Sequence, residues 1–396
     1  MKFTLAWLKD YLDTEINLHQ LVETLTSIGL EVEDIDTAAQ LKPFIIAEIL
    51  EAAPHPQADK LQILKVAIGE ESPLQIVCGA KNARQGLKSV LAPIGTYIPA
   101  LDFKIGKSKI RNVESYGMMC SAAELGLPDV LDGIIELPKD APVGKSFSEY
   151  TGLDDPVIDV AVTPNRGDWS SVYGIARDLA AKGAGNLKPL TTPNMRLENA
   201  PLYEIELAGE ASRVCLAFSY RSISNVENTS SPLWMQQRLS AIGLHPISAL
   251  VDITNYLTFA VGRPLHVFDA DKIEGKIVIR PAKEGEIFHA LNGKEYTLSP
   301  EHIVLADKKG ILSLAGIMGG ERAACTQQTQ NILVESALWD AKNIAQTGRQ
   351  LNIISDARYR FERGLDPSLV QTGLDLACEM MLKHCGGQAS LATHLC

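Results

Sequence analysis

Five polar or glycine-rich clusters interrupt the apolar segments between Val251 and Pro367, and they restrict how that stretch can fold. They read Val251-Asp-Ile-Thr-Asn255, Gly262-Arg-Pro-Leu-His-Val-Phe-Asp269, Ala315-Gly-Ile-Met-Gly-Gly320, Val334-Glu-Ser336 and Ser355-Asp-Ala-Arg-Tyr-Arg-Phe-Glu-Arg-Gly-Leu-Asp-Pro367. So many Gly, His, Asp, Glu and Arg residues, set between segments patterned as strands and helices, lower stability unless they build a site. The stretch predicts a mixed domain that holds a polar ligand at its element ends.

At 396 residues the chain exceeds what one core organises and suits two to four domains. No apolar run approaches the roughly 20 residues that span a bilayer. Seven cysteines (78, 120, 215, 325, 378, 385, 396) form no Cys-x-x-Cys and no zinc-type pairing with histidine, which points to reduced thiols and no structural metal. The formal charge of −11 argues against indiscriminate nucleic-acid binding, because phosphate affinity needs concentrated positive charge. One local patch stands against it: Lys104, Lys107, Lys109 and Arg111.

Element signals divide the chain. Phe3, Trp7, Leu8, Tyr11 and Leu12 have helical spacing. Asn17 and Gln20 form a capping-box pattern ahead of a stripe that Gly29 stops. From about Pro43 to Pro128 short β segments follow one another: Phe44–Leu50, Leu61–Ile68, Leu74–Val77, Ser89–Pro93 and Lys109–Val113. Five short strands in under a hundred residues predict a small five-stranded barrel. Further on, helices are expected at Ser170–Lys182, at Pro232–Ile242 capped by Ser231, at Asp340–Leu351, and after Asp366-Pro367. Strands are expected at Val157–Val162, Lys276–Arg280, Ile303–Ala306, Ile311–Ala315 and Ile332–Val334.

Within the β-rich stretch lie His55-Pro-Gln-Ala-Asp-Lys-Leu61, Val77-Cys-Gly-Ala-Lys-Asn82 and Ser115-Tyr-Gly-Met-Met-Cys-Ser121. Their order resembles the tRNA-binding barrel shared by the bacterial phenylalanyl-tRNA synthetase β subunit, some methionyl-tRNA synthetases and free-standing tRNA-binding proteins. The resemblance implies tRNA contacts from Lys60, Lys81, Asn82, Lys104, Lys107, Lys109 and Arg111. On charge alone, those lysines read as a solvated face.

With Trp7-Leu-Lys-Asp-Tyr11, Gly29-Leu-Glu-Val-Glu33, Thr163-Pro-Asn-Arg-Gly-Asp168 and the five clusters added, the order is similar to the bacterial phenylalanyl-tRNA synthetase β subunit over the full 396 residues. The resemblance implies a multidomain α+β chain. An OB-fold barrel (41–149) is inserted in a small split α+β scaffold domain (1–40 with 150–190). A linker (191–200) leads to an α/β editing domain of B3/B4 type (201–390). The family's β subunit continues further, so an N-terminal fragment is expected. The family's cytoplasmic α2β2 holoenzyme attaches phenylalanine to tRNA(Phe) with ATP and magnesium. This portion has no Gly-x4-Gly-Lys loop and is expected to need no cofactor or metal of its own. Its expected activity is hydrolysis of Tyr-tRNA(Phe); the alternative is a non-catalytic tRNA-binding and assembly module.

The chemical need is plain. An apolar pocket shaped for a phenyl ring rejects one added hydroxyl only about a hundredfold, whereas a second site that demands the hydroxyl reverses the preference. The resemblance makes Glu335 the partner of the tyrosine hydroxyl and sets His266 beside the terminal adenosine and the scissile ester. Thr254 and Asn255 share that wall. Gly319, with Gly316 and Gly320, lets backbone approach the aminoacyl group, and Ser355 and Ala357 line the remaining side. Water is expected to attack directly, since no activated serine or cysteine is visible. Read from the residues alone, His266 is a core histidine bonded to Asp269, Glu335 an acid opening a helix, and the glycines a tight turn. Arg358, Arg360, Glu362 and Arg363 are either an ion-pair network or a tRNA contact. The chain departs from the family at His245-Pro-Ile, where Arg-Pro-Ile is usual, at Ala249, where asparagine is frequent, and at Arg263.

Overall fold

The structure, a computed structural model, describes residues 1–127, 132–191 and 203–395; the linker expected at 191–200 lies outside them except for residue 191. Two compact units divide the chain. Ile35–Val157 is one, and Met1–Asp34 with Ile158–Cys396 is the other.

The first unit is the expected barrel. Its antiparallel sheet runs Gly117–Met119, Lys88–Pro93, Ile45–His55, Ala58–Ala67 and Leu74–Cys78. The two edges meet where Tyr116 N donates to the Gln75 carbonyl at 3.0 Å and Val77 N to Ser115 Oγ at 3.1 Å. Closure removes the exposed edges that invite aggregation. Alternation with period two sorts the side chains. Ala47, Ile49, Leu64, Val66, Ile76 and Leu91 form one cluster, while Ile46, Val90 and Ala92 pack with Phe44 and Phe147 in another.

One strand lies elsewhere than the pattern suggested. Lys109–Val113 is not the fifth barrel strand. Ser108–Ile110 and Val113–Ser115 form a separate hairpin, and Gly117–Met119 completes the barrel. Arg111 and Asn112 turn that hairpin with φ of 47° and 68°, the left-handed pair that a two-residue loop demands. The sequence hid the turn because arginine stands where asparagine or glycine is usual.

In the second unit, the strand Ile332–Trp339 lies between Leu265–Asp269 and Cys215–Ser224, all antiparallel. Every residue of Ile332–Trp339 is buried. Ile332 and Val334 belong to a core shared with the helices Ala249–Ala260 and Leu369–Cys385. Leu333, Ala337 and Trp339 belong to a second core. That core also holds residues of a sheet ordered Ile205–Leu207, Ile277–Pro281, Ile303–Ala306, Ile311–Leu314 and Met318–Gly319. The N-terminal segment joins the first core: Trp7 stacks on Tyr256 at 5.1 Å between ring centroids.

Several local expectations hold and others shift. The Asn17–Gln20 capping box makes both of its hydrogen bonds, at 3.0 and 3.3 Å. Phe3 lies in a strand, Lys2–Thr4, and the first helix starts at Leu5, where Thr4 accepts from Trp7 N. Pro232 itself caps the helix Leu233–Ala241, because the Ser231 hydroxyl donates to Asp252 instead. The helix after Asp366-Pro367 starts at Leu369. The polar clusters also sit deeper than predicted: Val251–Asn255 lies inside the helix Ala249–Ala260, and Glu335 lies mid-strand. Among the described residues, no helix is long and apolar enough to cross a membrane.

The barrel seam supplies a test. A Cβ at Gly117 would stand 2.9 Å from the Ala92 carbonyl oxygen, so Gly117→Ala should destabilise the chain by about 1–3 kcal/mol, measured by urea unfolding. An unchanged midpoint would show that the seam tolerates a side chain.

Candidate functional site

Register brings the central residues together. On Ile332–Trp339, Glu335 is paired directly with His266 on one side and with Tyr220 on the other. Directly opposed residues of antiparallel strands project from the same face. All three therefore stand on the face of Leu333 and Ala337, which packs into the second core. Tyr220 spends its hydroxyl on the Tyr203 carbonyl at 2.8 Å. The side chain of Glu335, a residue 7% exposed, makes no hydrogen bond to any described residue. The His266 ring makes none either and meets Phe268 edge-on at 4.3 Å.

Burial governs the electrostatics of the pair. It pushes the Glu335 carboxyl up to about 8. His266 keeps an edge open to the cavity, yet its surroundings push the imidazole down to about 4. Near neutral pH the carboxyl is protonated and the imidazole neutral. A buried polar group left without a partner costs about 1–3 kcal/mol, so each is an unfilled bonding position.

Both line a cavity of about 310 Å³, within the size range of small-molecule sites. Asn255, Gly319, Ser355 and Ala357 line it as well. Thr254 does not; its hydroxyl donates to the Val251 carbonyl at 2.7 Å. Ser355 is already engaged, capping Arg358 N and donating to the Ile317 carbonyl at 2.8 Å. Gly319 admits the histidine, since a Cβ there would stand 2.3 Å from His266 Cε1. Gly316, at φ 66°, is overhung by Trp339 and Ile344. Ser313 was missed by sequence reasoning. It faces Gly319 across the strand pair and lines the cavity, and its hydroxyl makes no hydrogen bond to any described residue. One serine in Ile-Leu-Ser-Leu gave no signal, because inward and outward positions there differ only by tertiary contact.

His266 is not bonded to Asp269, whose carboxylate takes the Thr329 hydroxyl and Lys272. Glu335 opens no helix. The arginine cluster is internal bracing. Arg358 pairs with Glu362 and reaches the Ile353 carbonyl. Arg360, buried over the Phe259 ring, holds the Ser170 carbonyl at 3.1 Å, and Arg363 binds Glu362 and the Tyr359 carbonyl. Roomier hollows exist, such as one of about 700 Å³ beside Asp168. There Asp168 is already paired with Arg166 and Arg177.

In the barrel, Lys60, Lys104, Lys109 and Arg111 are exposed and make no ion pair among the described residues. Lys107 is held by Glu114 at 3.0 Å and lies over the Tyr116 ring, and Lys81 reaches Asp132 at 3.6 Å. Asn82 is a brace: its side chain exchanges hydrogen bonds with the backbone of Ile134 at 2.8 and 3.0 Å.

Comparison with known proteins agrees with this division. Residues 44–146 match the family profile described as a putative tRNA binding domain, and residues 214–386 match the B3/4 domain. The "Phenylalanine--tRNA ligase beta subunit" of Bartonella henselae is 56% identical over 391 residues, which cover 98% of this chain and 49% of that protein. The protein of that name from Mesorhizobium japonicum is 54% identical over 389 residues, 98% of this chain and 48% of that protein. A solved N-terminal fragment of the phenylalanyl-tRNA synthetase beta-subunit from Pyrococcus horikoshii aligns with a TM-score of 0.35 and 15% identity, over 61% of this chain and 67% of that one, too distant to carry an argument. The chain spans about half the length of the curated relatives it matches, and it belongs to the phenylalanine–tRNA ligase beta subunit family.

Proposed function

We propose that this chain is the tRNA-binding and editing portion of a phenylalanine–tRNA ligase, and that its own reaction is hydrolysis of tyrosine wrongly esterified to tRNA(Phe). In this reading it works in the cytoplasm beside an α subunit, and ATP and magnesium serve the ligation elsewhere in the holoenzyme. The observation that carries the proposal is Glu335, a buried carboxyl without a partner, opposite an equally unpartnered His266 in one cavity.

A neutral carboxyl both donates and accepts, and so does a phenol; a tyrosine side chain satisfies Glu335 in either direction. A phenylalanine ring leaves it unpaired, and the difference of about 1–3 kcal/mol selects tyrosine roughly 10- to 100-fold. His266, neutral and directed at the cavity, is suited to hold the attacking water. That water's oxygen bonds to the ester carbon, the bond to the terminal ribose oxygen breaks, and the water's proton ends on the ribose hydroxyl. Asn255 and Ser313 supply further polar contacts for the aminoacyl group.

Two outcomes are expected from deacylation of Tyr-tRNA(Phe). Glu335→Ala should lower kcat/KM about 10- to 100-fold while hydrolysis of Phe-tRNA(Phe) does not fall. His266→Ala should lower kcat, and Gly319→Ala, whose methyl displaces the imidazole, should match it. Equal rates for the parent and all three variants would remove the assignment. Free tyrosine observed by saturation-transfer NMR gives a second readout: contact with the parent protein and none with Glu335→Ala.

Protonation supplies an independent check. The folded carboxyl keeps its proton up to about pH 8, whereas the unfolded one loses it near 4.5. Stability is therefore fully present below 4.5 and is lost as pH rises through 8, by an amount on the order of a few kcal/mol. Glu335→Gln has no such proton. Its melting temperature relative to the parent should climb between about pH 5 and about pH 9. A constant difference would mean that the carboxyl is not buried uncharged.

A further inference from the structure

Side-chain hydroxyls of three residues line the cavity, and two of them have their protons committed. Thr258 donates to the Thr254 carbonyl at 2.8 Å, and Ser355 to the Ile317 carbonyl at 2.8 Å. The third belongs to Ser313, a residue 5% exposed on the strand Ile311–Leu314. Its hydroxyl has no hydrogen-bond partner among the described residues. A buried hydroxyl that bonds to nothing lowers stability, and alanine would occupy the same place in the strand without that loss.

Strand register fixes what the hydroxyl faces. Ser313 pairs with Gly319, and Leu314 with Met318. Gly320 N donates to the Leu312 carbonyl at 2.8 Å, so Ser313 and Gly319 form a non-hydrogen-bonded antiparallel pair, the type whose side chains stand closest. Their Cβ positions are about 4.5–5.5 Å apart on one face. Gly319 has no side chain, and the His266 imidazole occupies that place. A Cβ on Gly319 would stand 2.3 Å from its Cε1 and 2.9 Å from its Nε2. Ser313 therefore stands beside the Cε1–Nε2 edge of His266, with no direct hydrogen bond between the two.

Ester hydrolysis needs a donor at that place. As water adds to the ester carbon, negative charge develops on the carbonyl oxygen. Fixed donors aimed at such an oxygen are among the largest contributions to acyl-transfer rates. Among the described residues that line the cavity, none is lysine or arginine. The nearby guanidiniums of Arg358, Arg360 and Arg363 are spent on carbonyls and carboxylates. Asn255 also lines the cavity, but it is less deeply buried than Ser313. A hydrogen bond gains strength where water is excluded, which favours the serine.

We infer that Ser313 is a catalytic residue of the proposed deacylation, its hydroxyl donating to the ester carbonyl oxygen as that oxygen becomes negative. His266 holds the water, and Ser313 holds the carbonyl oxygen. The water oxygen bonds to the carbon while the π pair moves onto the carbonyl oxygen. That pair then returns as the bond to the ribose oxygen breaks, and the water's proton ends on the ribose hydroxyl. Ser313 keeps its own proton throughout. The inference rests on the editing half of the proposed function. It also separates two tasks: Glu335 reads the ring, whereas Ser313 serves the ester that tyrosine and phenylalanine share.

Deacylation kinetics with the full chain test it, using Tyr-tRNA(Phe) and Phe-tRNA(Phe) with spontaneous hydrolysis subtracted. Ser313→Ala should lower kcat on Tyr-tRNA(Phe) about 100-fold and leave KM nearly unchanged. The same factor should appear on Phe-tRNA(Phe), so selectivity for tyrosine persists, unlike in Glu335→Ala. Ser313→Cys, close in size but a weaker donor, should fall with the alanine variant. Free tyrosine should keep its saturation-transfer signal in both Ser313 variants, since the amino acid carries no ester. An unchanged kcat in Ser313→Ala, with Glu335→Ala impaired, overturns the role of Ser313 alone. So does a loss confined to Tyr-tRNA(Phe), a loss that comes with disappearance of the tyrosine signal, or a Ser313→Cys variant as fast as the parent. No deacylation by the parent chain overturns the editing reading together with it.

Discussion

A carboxyl group in an apolar interior is the constraint on which the site turns. Glu335 is the one acid in a strand that otherwise reads Ile-Leu-Val-Ser-Ala-Leu-Trp, buried along its whole length. Both faces of the strand pack against core, so burial disfavours its charged form, and the carboxyl has no hydrogen-bond partner among the described residues. Such a residue is a standing loss of stability within the fold. The tertiary arrangement uses that loss by leaving a cavity beside the carboxyl and by pairing the strand so that His266 lies directly opposite.

The polar residues around this cavity hold its walls more than they fill it. Arg263 is fully buried, donates to the Ala337 carbonyl at 2.9 Å and to that of Asp366, and thereby clamps the central strand to the start of the last long helix. Gly373 leaves room for it, since a Cβ there would stand 2.5 Å from Arg263 Cγ. Arg360 links the helix Asp356–Phe361 to Ser170. These guanidiniums are satisfied mainly by backbone carbonyls, a use for which their forked donors are suited. The clusters that drew notice in the sequence thus divide into a few groups without partners and many that fix them in place.

The barrel reaches nucleic-acid chemistry by local means. An acidic chain does not attract RNA by its overall field, so affinity depends on where its few free cations stand. Lys107 and Lys81 are partly neutralised by Glu114 and Asp132, and Asn82 is committed to backbone. Of the exposed cations without an ion pair, Lys104, Lys109 and Arg111 lie between the strands Lys88–Pro93 and Gly117–Met119, and Lys60 lies on Ala58–Ala67.

Much of this was legible in the sequence. The capping box at Asn17 and the period-two strands of the barrel followed from local chemistry, because caps, alternation and turns act over a few residues, whereas the order of motifs spoke only through a family resemblance. The hairpin at Arg111 was not legible, since its left-handed turn lacks the usual residues. Ser313 gave no sign either, and Thr254 and Asn82 looked like site residues until their hydrogen bonds were seen to be taken. Sequence by itself determined which polar groups are present and marked the caps and periods of several elements, but not the helix that carries Val251–Asn255 or the strand that carries His266. Only the tertiary structure decided which were left without partners, because that depends on strand register and on neighbours brought from across the chain.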